Sequence, residues 1–245
     1  MPVLRRTPSL VQQVKMHLKQ RIRAAEFADG RFPPEADLAR ELGVSRNTLR
    51  DALSQLEAEG VIFRRQGAGT FVSQAGLMVK TRLEEIIPYE TLIRQHGYNP
   101  TVKLLSVRQE PVEPEIKAGL EAENLSDLLV IKKLFLAGDT PVIFSITYLP
   151  PHLITRPYTP DDIRGPIYRF LPRFCQQEFA YYLTEIVPVD APPWLADTLQ
   201  LPSHRTVLLA FDETGYNQDD RPVVRARSYF RHDLIRLRLV RRLAV

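Results

Sequence analysis

Glu35-Ala-Asp-Leu-Ala-Arg-Glu-Leu-Gly-Val-Ser-Arg-Asn-Thr-Leu-Arg-Asp-Ala-Leu-Ser-Gln-Leu-Glu-Ala-Glu-Gly60 is the stretch on which the fold of this chain turns. It follows Pro33-Pro34; proline suits a first helical turn, and the early acids Glu35 and Asp37 suit a helix's positive end. That helix is short and stops at Gly43. Ser45 is a good N-cap, and the run from Arg46 to Glu59 predicts a second helix, closed by Gly60 in the favoured position just past a helix end. Two helices joined by a three-residue turn containing glycine form a helix-turn-helix. At about 100° per residue, Leu49, Ala52, Leu53 and Leu56 share one side of the second helix, and Asn47, Arg50, Asp51 and Ser54 share the other. The polar side offers groups that read base edges, arginine to guanine and asparagine to adenine.

Upstream, Leu10, Val14, Leu18 and Ile22 recur every four residues and predict an amphipathic helix with one buried stripe. Downstream, Val61-Ile-Phe-Arg-Arg-Gln-Gly-Ala-Gly-Thr-Phe-Val72 predicts two short strands around a glycine-containing tip. A hairpin placed after a recognition helix is a wing, and the backbone at Gly67 and Gly69 approaches phosphates without steric hindrance. Charge agrees. Residues 1–75 hold 12 Lys or Arg against 8 Asp or Glu, whereas the remainder holds 21 of each, so the formal net charge of +4 lies in the first third.

These residues resemble the GntR family of bacterial regulators. The likeness is carried by Glu35-Ala-Asp-Leu-Ala39, Leu42-Gly-Val-Ser-Arg-Asn-Thr-Leu-Arg50, Leu56-Glu-Ala-Glu-Gly60 and Arg65-Gln-Gly-Ala-Gly-Thr-Phe-Val72. It implies DNA contacts from Ser45, Arg46, Asn47, Thr48 and Arg50 on the recognition helix and from Gln66 and Gly67 in the wing, to which the unhindered backbone adds Gly69. Many members carry arginine where this chain has Ala36, so one phosphate contact is expected to be missing, which weakens affinity more than sequence choice.

Residues 1–74 are thus expected to form a winged helix-turn-helix, 75–82 a linker, and 83–245 a second domain. The second domain shows a weak internal repeat. Leu129–Leu136 and Pro141–Tyr148, split by a Gly-Asp turn, match Val207–Asp212 and Pro222–Tyr229, with offsets of 78 and 81 residues. Each copy predicts a strand, a turn and a strand. Short helices are expected at Glu113–Glu123, Pro193–Gln200 and Ile167–Tyr182. Together the halves predict one antiparallel sheet with helices packed on it, an α+β layout, with a ligand pocket where the halves meet.

This part resembles the UTRA effector-binding domain of the HutC-type GntR regulators, which has the fold of chorismate lyase. The carriers are Lys133–Val142, Ser145-Ile-Thr-Tyr-Leu-Pro150 and Arg221–Asp233. The resemblance implies a homodimer, a pseudo-palindromic operator on double-stranded DNA, and a small-molecule effector that controls operator affinity, usually for repression. Sugar-phosphate sensors of this kind carry Arg-x-Arg and two glutamates at places held here by Lys133 and Phe135, Ser145 and Val224. One cation remains and both carboxylates are gone. The expected effector is therefore a small anion, held by Lys133 and one of Arg225, Arg227 or Arg231, with Ser145, Tyr148 and Tyr229 beside it. The three arginines, alternating with Val224, Ala226, Ser228 and Phe230, equally fit a solvated strand face.

Other function classes find little support. Cys175 is the only cysteine, which excludes an intramolecular disulfide framework and fits a reducing cytoplasm. The five histidines show no metal-ligand spacing, and neither a nucleophile elbow nor a phosphate loop is present. No catalytic residue, metal or cofactor is expected, even though the second domain resembles a lyase. No signal-like start and no run near 20 apolar residues occur, so a soluble cytoplasmic protein without a membrane partner is expected.

Overall fold

The computed structural model describes residues 8–77, 83–201 and 206–238. They fall into two compact units, one within Met1–Arg82 and one within Leu83–Leu237.

In the first unit, α1 (Leu10–Arg23) is capped by Ser9, whose hydroxyl accepts from the Gln12 N–H. Helix α2 (Glu35–Glu41) begins after Pro34, and α3 (Arg46–Ala58) after Ser45, whose hydroxyl accepts from the Thr48 N–H. Strands β1 (Ile62–Arg65) and β2 (Gly69–Val72) pair antiparallel as the hairpin, and Phe32 donates its N–H to Thr70 O at 2.9 Å along the outer edge. The apolar stripes meet in one core: Leu18, Leu38, Leu49 and Leu56 are fully buried together with Ile62. Truncating one such leucine to alanine costs about 2–5 kcal/mol, so this core alone fixes the helices.

The expected linker begins as one more helical turn, α4 (Gln74–Leu77); residues 78–82 lie outside the described residues.

In the second unit the helices are α5 (Tyr89–Gln95), α6 (Pro114–Ala118), α7 (Pro160–Arg164), α8 (Ile167–Phe170) and α9 (Pro193–Thr198). The strands are β3 (Pro100–Pro111), β4 (Asp127–Ala137), β5 (Thr140–Leu149), β6 (Phe179–Asp190), β7 (Val207–Asn217) and β8 (Pro222–Phe230). They form a fully antiparallel sheet of order β3-β4-β5-β8-β7-β6. The two hairpins expected from the repeat are its four central strands. Two edge strands are added to them. The predicted helix Ile167–Tyr182 ends at Cys175, because Gln176 takes a left-handed conformation (φ 55°) and the chain leaves as strand β6 from Phe179.

The repeat reaches the edges as well, since β6 begins 79 residues after β3 and α9 begins 79 after α6. Pairing also corrects the offset of the first hairpin strands. Pro141 and Pro222 open β5 and β8 at a spacing of 81, which makes Ala226 the counterpart of Ser145. Ser145 pairs with Lys133, and Ala226 pairs with Glu213. Lys133 and Glu213 therefore hold equivalent places in the two halves, 80 residues apart rather than 78. The sheet is pseudo-twofold about the β5–β8 junction.

Both faces are covered. On one, Ile163, Ile167 and Phe170 of α7 and α8 pack on Leu129, Ile131 and Val224, and Leu92 and Ile93 of α5 pack on Phe135, Ile143 and Phe230. On the other, Leu195 of α9 packs near Val130, Leu134, Phe144 and Ile146, and Ile116 of α6 near Leu128 and Tyr148.

Candidate functional site

The first unit uses most of its charge internally. Lys15 and Lys19 both reach Glu59, at 3.0 and 2.6 Å, tying α1 to the end of α3. Burial pushes the Glu59 carboxyl upward, but the two lysines outweigh it and leave the group below its usual range. Arg21 pairs with Glu26 and Glu41, and Arg40 with Asp37. These cations hold the domain together.

The predicted reading face is different. Arg46, Asn47 and Arg50 are exposed, and among the described residues Arg46 and Asn47 enter no ion pair or side-chain hydrogen bond; Arg50 only approaches Glu35, at 3.9 Å. Ser45 and Thr48 serve the cap, with their hydroxyls 2.8 Å apart. In the wing, Gln66, Gly67 and Gly69 are exposed, and both glycines have positive φ (74° and 114°), a conformation that side chains other than glycine rarely adopt. The expected DNA residues thus lie on the exposed side of α3 and at the hairpin tip.

Two arginines complete this face. Arg31 donates to Ala68 O at 2.9 Å and lies over the Phe71 ring, bracing the tip. Arg64 donates its backbone N–H to Glu57 Oε1 at 3.0 Å, and its guanidinium reaches Ser54 Oγ and Arg50 O, each at 3.4 Å. Arg31 lies outside every motif read in the sequence, since its role depends on the chain returning beside β2.

In the second unit the register divides the seven expected effector residues between opposite faces of the sheet. Directly paired residues in antiparallel strands share a face, and Lys133, Ser145 and Ser228 form one row across β4, β5 and β8. Tyr148 and Arg225 form a row on the other face, where Arg227 and Tyr229 alternate with them. A single pocket containing all seven is not formed.

On the Lys133 face, Lys133 is 6% exposed and its ammonium donates to Gly165 O at 2.5 Å. Among the described residues no carboxylate lies within ion-pair distance of it. Burial brings its pKa down to about 8, with the Glu90 carboxylate opposing. Ser145 accepts from Ser228 at 3.1 Å. The next row holds Thr147, Ala226, Glu213 and Thr184. Burial raises the Glu213 carboxyl to about 7, with the neighbouring Asp212 charge adding and the Thr184 and Tyr89 hydroxyls opposing. Thr184 donates to it at 3.0 Å. Tyr89 and Tyr182 stand beside it, each with a strongly raised pKa caused first by burial. Tyr89, Tyr182 and Glu213 are half-buried.

On the opposite face charge is matched. Asp212 is held by Arg225 at 2.8 Å and by the Arg227 guanidinium, and Arg225 also donates to Thr214 at 2.9 Å. Tyr148 and Tyr229 pack against the cluster around α9, with Tyr229 edge-on to Trp194. Arg231 lies past the end of β8 and is paired with Asp233 at 2.7 Å, which leaves it outside both rows. Among the described residues no group of three or more His, Cys, Asp or Glu could hold a metal ion, and no helix is long and apolar enough to cross a membrane.

Sequence profiles of known families match both units, that of the bacterial regulatory proteins of the gntR family over residues 10–72 and that of the UTRA domain over residues 95–236. The chain belongs to the GntR family of bacterial regulatory proteins. Among relatives of this GntR-family regulator, the HTH-type transcriptional repressor NagR of Bacillus subtilis is 27% identical over 222 residues, 90% of each chain. The HTH-type transcriptional regulator Rv0792c of Mycobacterium tuberculosis is 30% identical over 204 residues, 79% of this chain and 71% of that one. The crystal structure of the possible transcriptional regulator YydK from Bacillus subtilis has the same fold, with a TM-score of 0.72 over 95% of this chain and 99% of that chain at 16% identity.

The GntR regulator is thus a helix-turn-helix protein whose second domain is of the effector-binding UTRA type, and its relatives are transcriptional regulators rather than enzymes. Sequence reasoning did not single out Glu213, Tyr89, Thr184 or Ser228 as site residues. Glu213 had one signal, the internal repeat, and an offset two residues too short put Phe211 in its place.

Proposed function

We propose that this regulator is a cytoplasmic homodimer of the HutC type that binds a pseudo-palindromic operator through Arg46, Asn47, Arg50 and the wing, and that a small organic anion bound on the Lys133 face controls that affinity. One observation carries the effector reading: a lysine is enclosed in the sheet domain with a neutral carbonyl as its acceptor and no carboxylate at ion-pair distance among the described residues. Burying an ammonium without a counter-charge is costly, so this position suits a ligand that supplies the negative charge. The arginines expected to share the task are engaged by Asp212 on the opposite face, which leaves Lys133 with Ser145 and Ser228 as the anion end.

Dimerisation finds support at the β6 edge. Leu183 is 60% exposed and Ile186 45% exposed on a strand that, among the described residues, has no neighbour on its outer side. A long apolar edge of this kind pairs readily with another chain, and paired half-sites require a twofold protein.

The test is a thermal-shift screen of the purified protein against small carboxylates, phosphonates and sugar phosphates, followed by operator titration with each hit. A ligand at 100 times its Kd adds roughly 2.7 kcal/mol to stability. A stabilising small anion that also changes operator affinity supports the reading. A glucosamine-6-phosphate hit with the small anions silent overturns it.

A further inference from the structure

The Lys133 face holds a second enclosed charge, and its position is not arbitrary. Glu213 is the pseudo-twofold counterpart of Lys133, placed on β7 as Lys133 is on β4. Among the described residues no lysine or arginine lies within ion-pair distance of its carboxylate, whereas the adjacent Asp212, pointing to the other face, is held by two arginines. Between Lys133 and Glu213 lies a strip of hydroxyls: Ser145, Thr147 and Ser228 are buried, and Tyr89 faces both Ser228 and Glu213. The face is therefore bipolar, with a cation in one half, a carboxylate in the other and neutral polar groups between them.

We infer that the effector is an amine-bearing anion, its negative group at Lys133 and its ammonium at Glu213. This rests on reading the Lys133 face as the effector site. Complementarity supports it: an anion alone would leave Glu213 enclosed without a counter-charge and would place a second negative charge on the same face. A ligand carrying both signs satisfies both ends at once, and the hydroxyl strip accommodates its middle. The strands β4 and β7 are three spacings of about 4.8 Å apart, and Glu213 lies one row along the sheet from Lys133, so the two charged ends are well separated. That suits a linear ω-amino carboxylate, probed as a series of rising chain length.

Calorimetry on the full-length protein with such a series, each compared with the carboxylate of equal length lacking the amine, decides the matter. The expected result is a preference of about tenfold for the amino form at one optimal length. Glu213→Gln is expected to abolish the preference, because the amino form loses its partner while the plain carboxylate is relieved of a like charge on the same face. Glu213→Asp, which withdraws the carboxylate by one carbon, is expected to move the optimum to a longer probe, a readout that general damage to the fold does not produce. Equal binding of the paired probes, failure of the whole amino series to bind, or a preference that survives Glu213→Gln overturns the inference. If plain carboxylates bind and Lys133→Met leaves them untouched, the anion reading itself falls, which is a separate outcome.

Discussion

The two faces of the six-stranded sheet treat their charged groups in opposite ways. On the Arg225 face, Asp212 collects two guanidiniums and Arg225 adds Thr214, so charge is closed upon itself. On the Lys133 face, Lys133 and Glu213 sit apart, and among the described residues each has neutral hydrogen-bond partners and no opposite charge at ion-pair distance. A matched cluster is a fastening; an enclosed and unmatched charge is an appetite for a ligand. The winged-helix unit repeats the contrast, with Lys15, Lys19 and Arg21 spent on Glu59, Glu26 and Glu41 while Arg46 and Asn47 face outward.

The largest expected effect tests the unmatched side. Lys133→Met removes the ammonium but keeps the length of the chain; it is expected to lower anion affinity by about 3 kcal/mol, the scale of a lost charge-assisted hydrogen bond, without loss of thermal stability. Titration of the variant with the anion found in the screen measures this, and unchanged affinity breaks the comparison.

Next comes the reading face, where the same rule of unengaged polar groups applies. Asn47→Ala or Arg50→Ala is expected to cost about 1–3 kcal/mol in operator affinity and to alter base preference. Binding selections from randomised DNA would show it, and two variants with native affinity and preference would refute the assignment.

The matched side yields a smaller and different effect. Asp212→Asn leaves two partly exposed guanidiniums without their carboxylate, which is expected to cost about 1–2 kcal/mol of stability after allowance for solvent screening. Denaturant unfolding measures it, and anion affinity should not move. A variant that loses effector binding instead would show that the two faces are not separate in function.

The smallest effect is in the pH profile. Glu213 is raised from 4.5 to about 7 by burial, so the folded state holds its proton more tightly and the contribution to stability is lost as pH rises across that window. Lys133 is lowered from 10.5 to about 8, so the folded state releases its proton first and stability is gained as pH rises from 8 to 10.5. The Lys133 face therefore opposes folding most near pH 7–8, when both ends are charged. A Tm minimum is expected there, and Glu213→Gln should remove its acid side alone.

Much of this arrangement is written locally. Ser45, Gly60 and the spacing of Leu49, Leu53 and Leu56 specify α3 within fifteen or so residues, and the apolar runs of β4 and β5 announce buried strands. The edge strands are not visible in the sequence because, among the described residues, β3 and β6 have a partner on one side only: β6 exposes Tyr181, Leu183, Ile186 and Val187 and includes Pro188, which interrupts any strand signal. The aromatic residues after Cys175 looked like a continuing helix, and nothing in the sequence marks Gln176 as the left-handed stop. The proposed effector face is half legible. Lys133 and Ser145 stand out in the sequence, but which residues join them depends on strand register, and a slip of one residue exchanges the faces of a sheet. That is why Tyr148, Arg225, Arg227 and Tyr229 were grouped with Lys133 although they lie on the other side.

The side chain of Arg64 has a consequence for the kind of DNA this protein accepts. Its guanidinium reaches Ser54, the Arg50 carbonyl and Glu57 on α3, and its backbone N–H donates to Glu57, so hairpin and recognition helix are tied together like the arms of a caliper. A caliper of fixed opening measures the distance from a major-groove floor to the neighbouring backbone, and that distance varies with base composition through groove width and stiffness. On the proposed operator reading, choice is expected to extend to base pairs that no side chain touches.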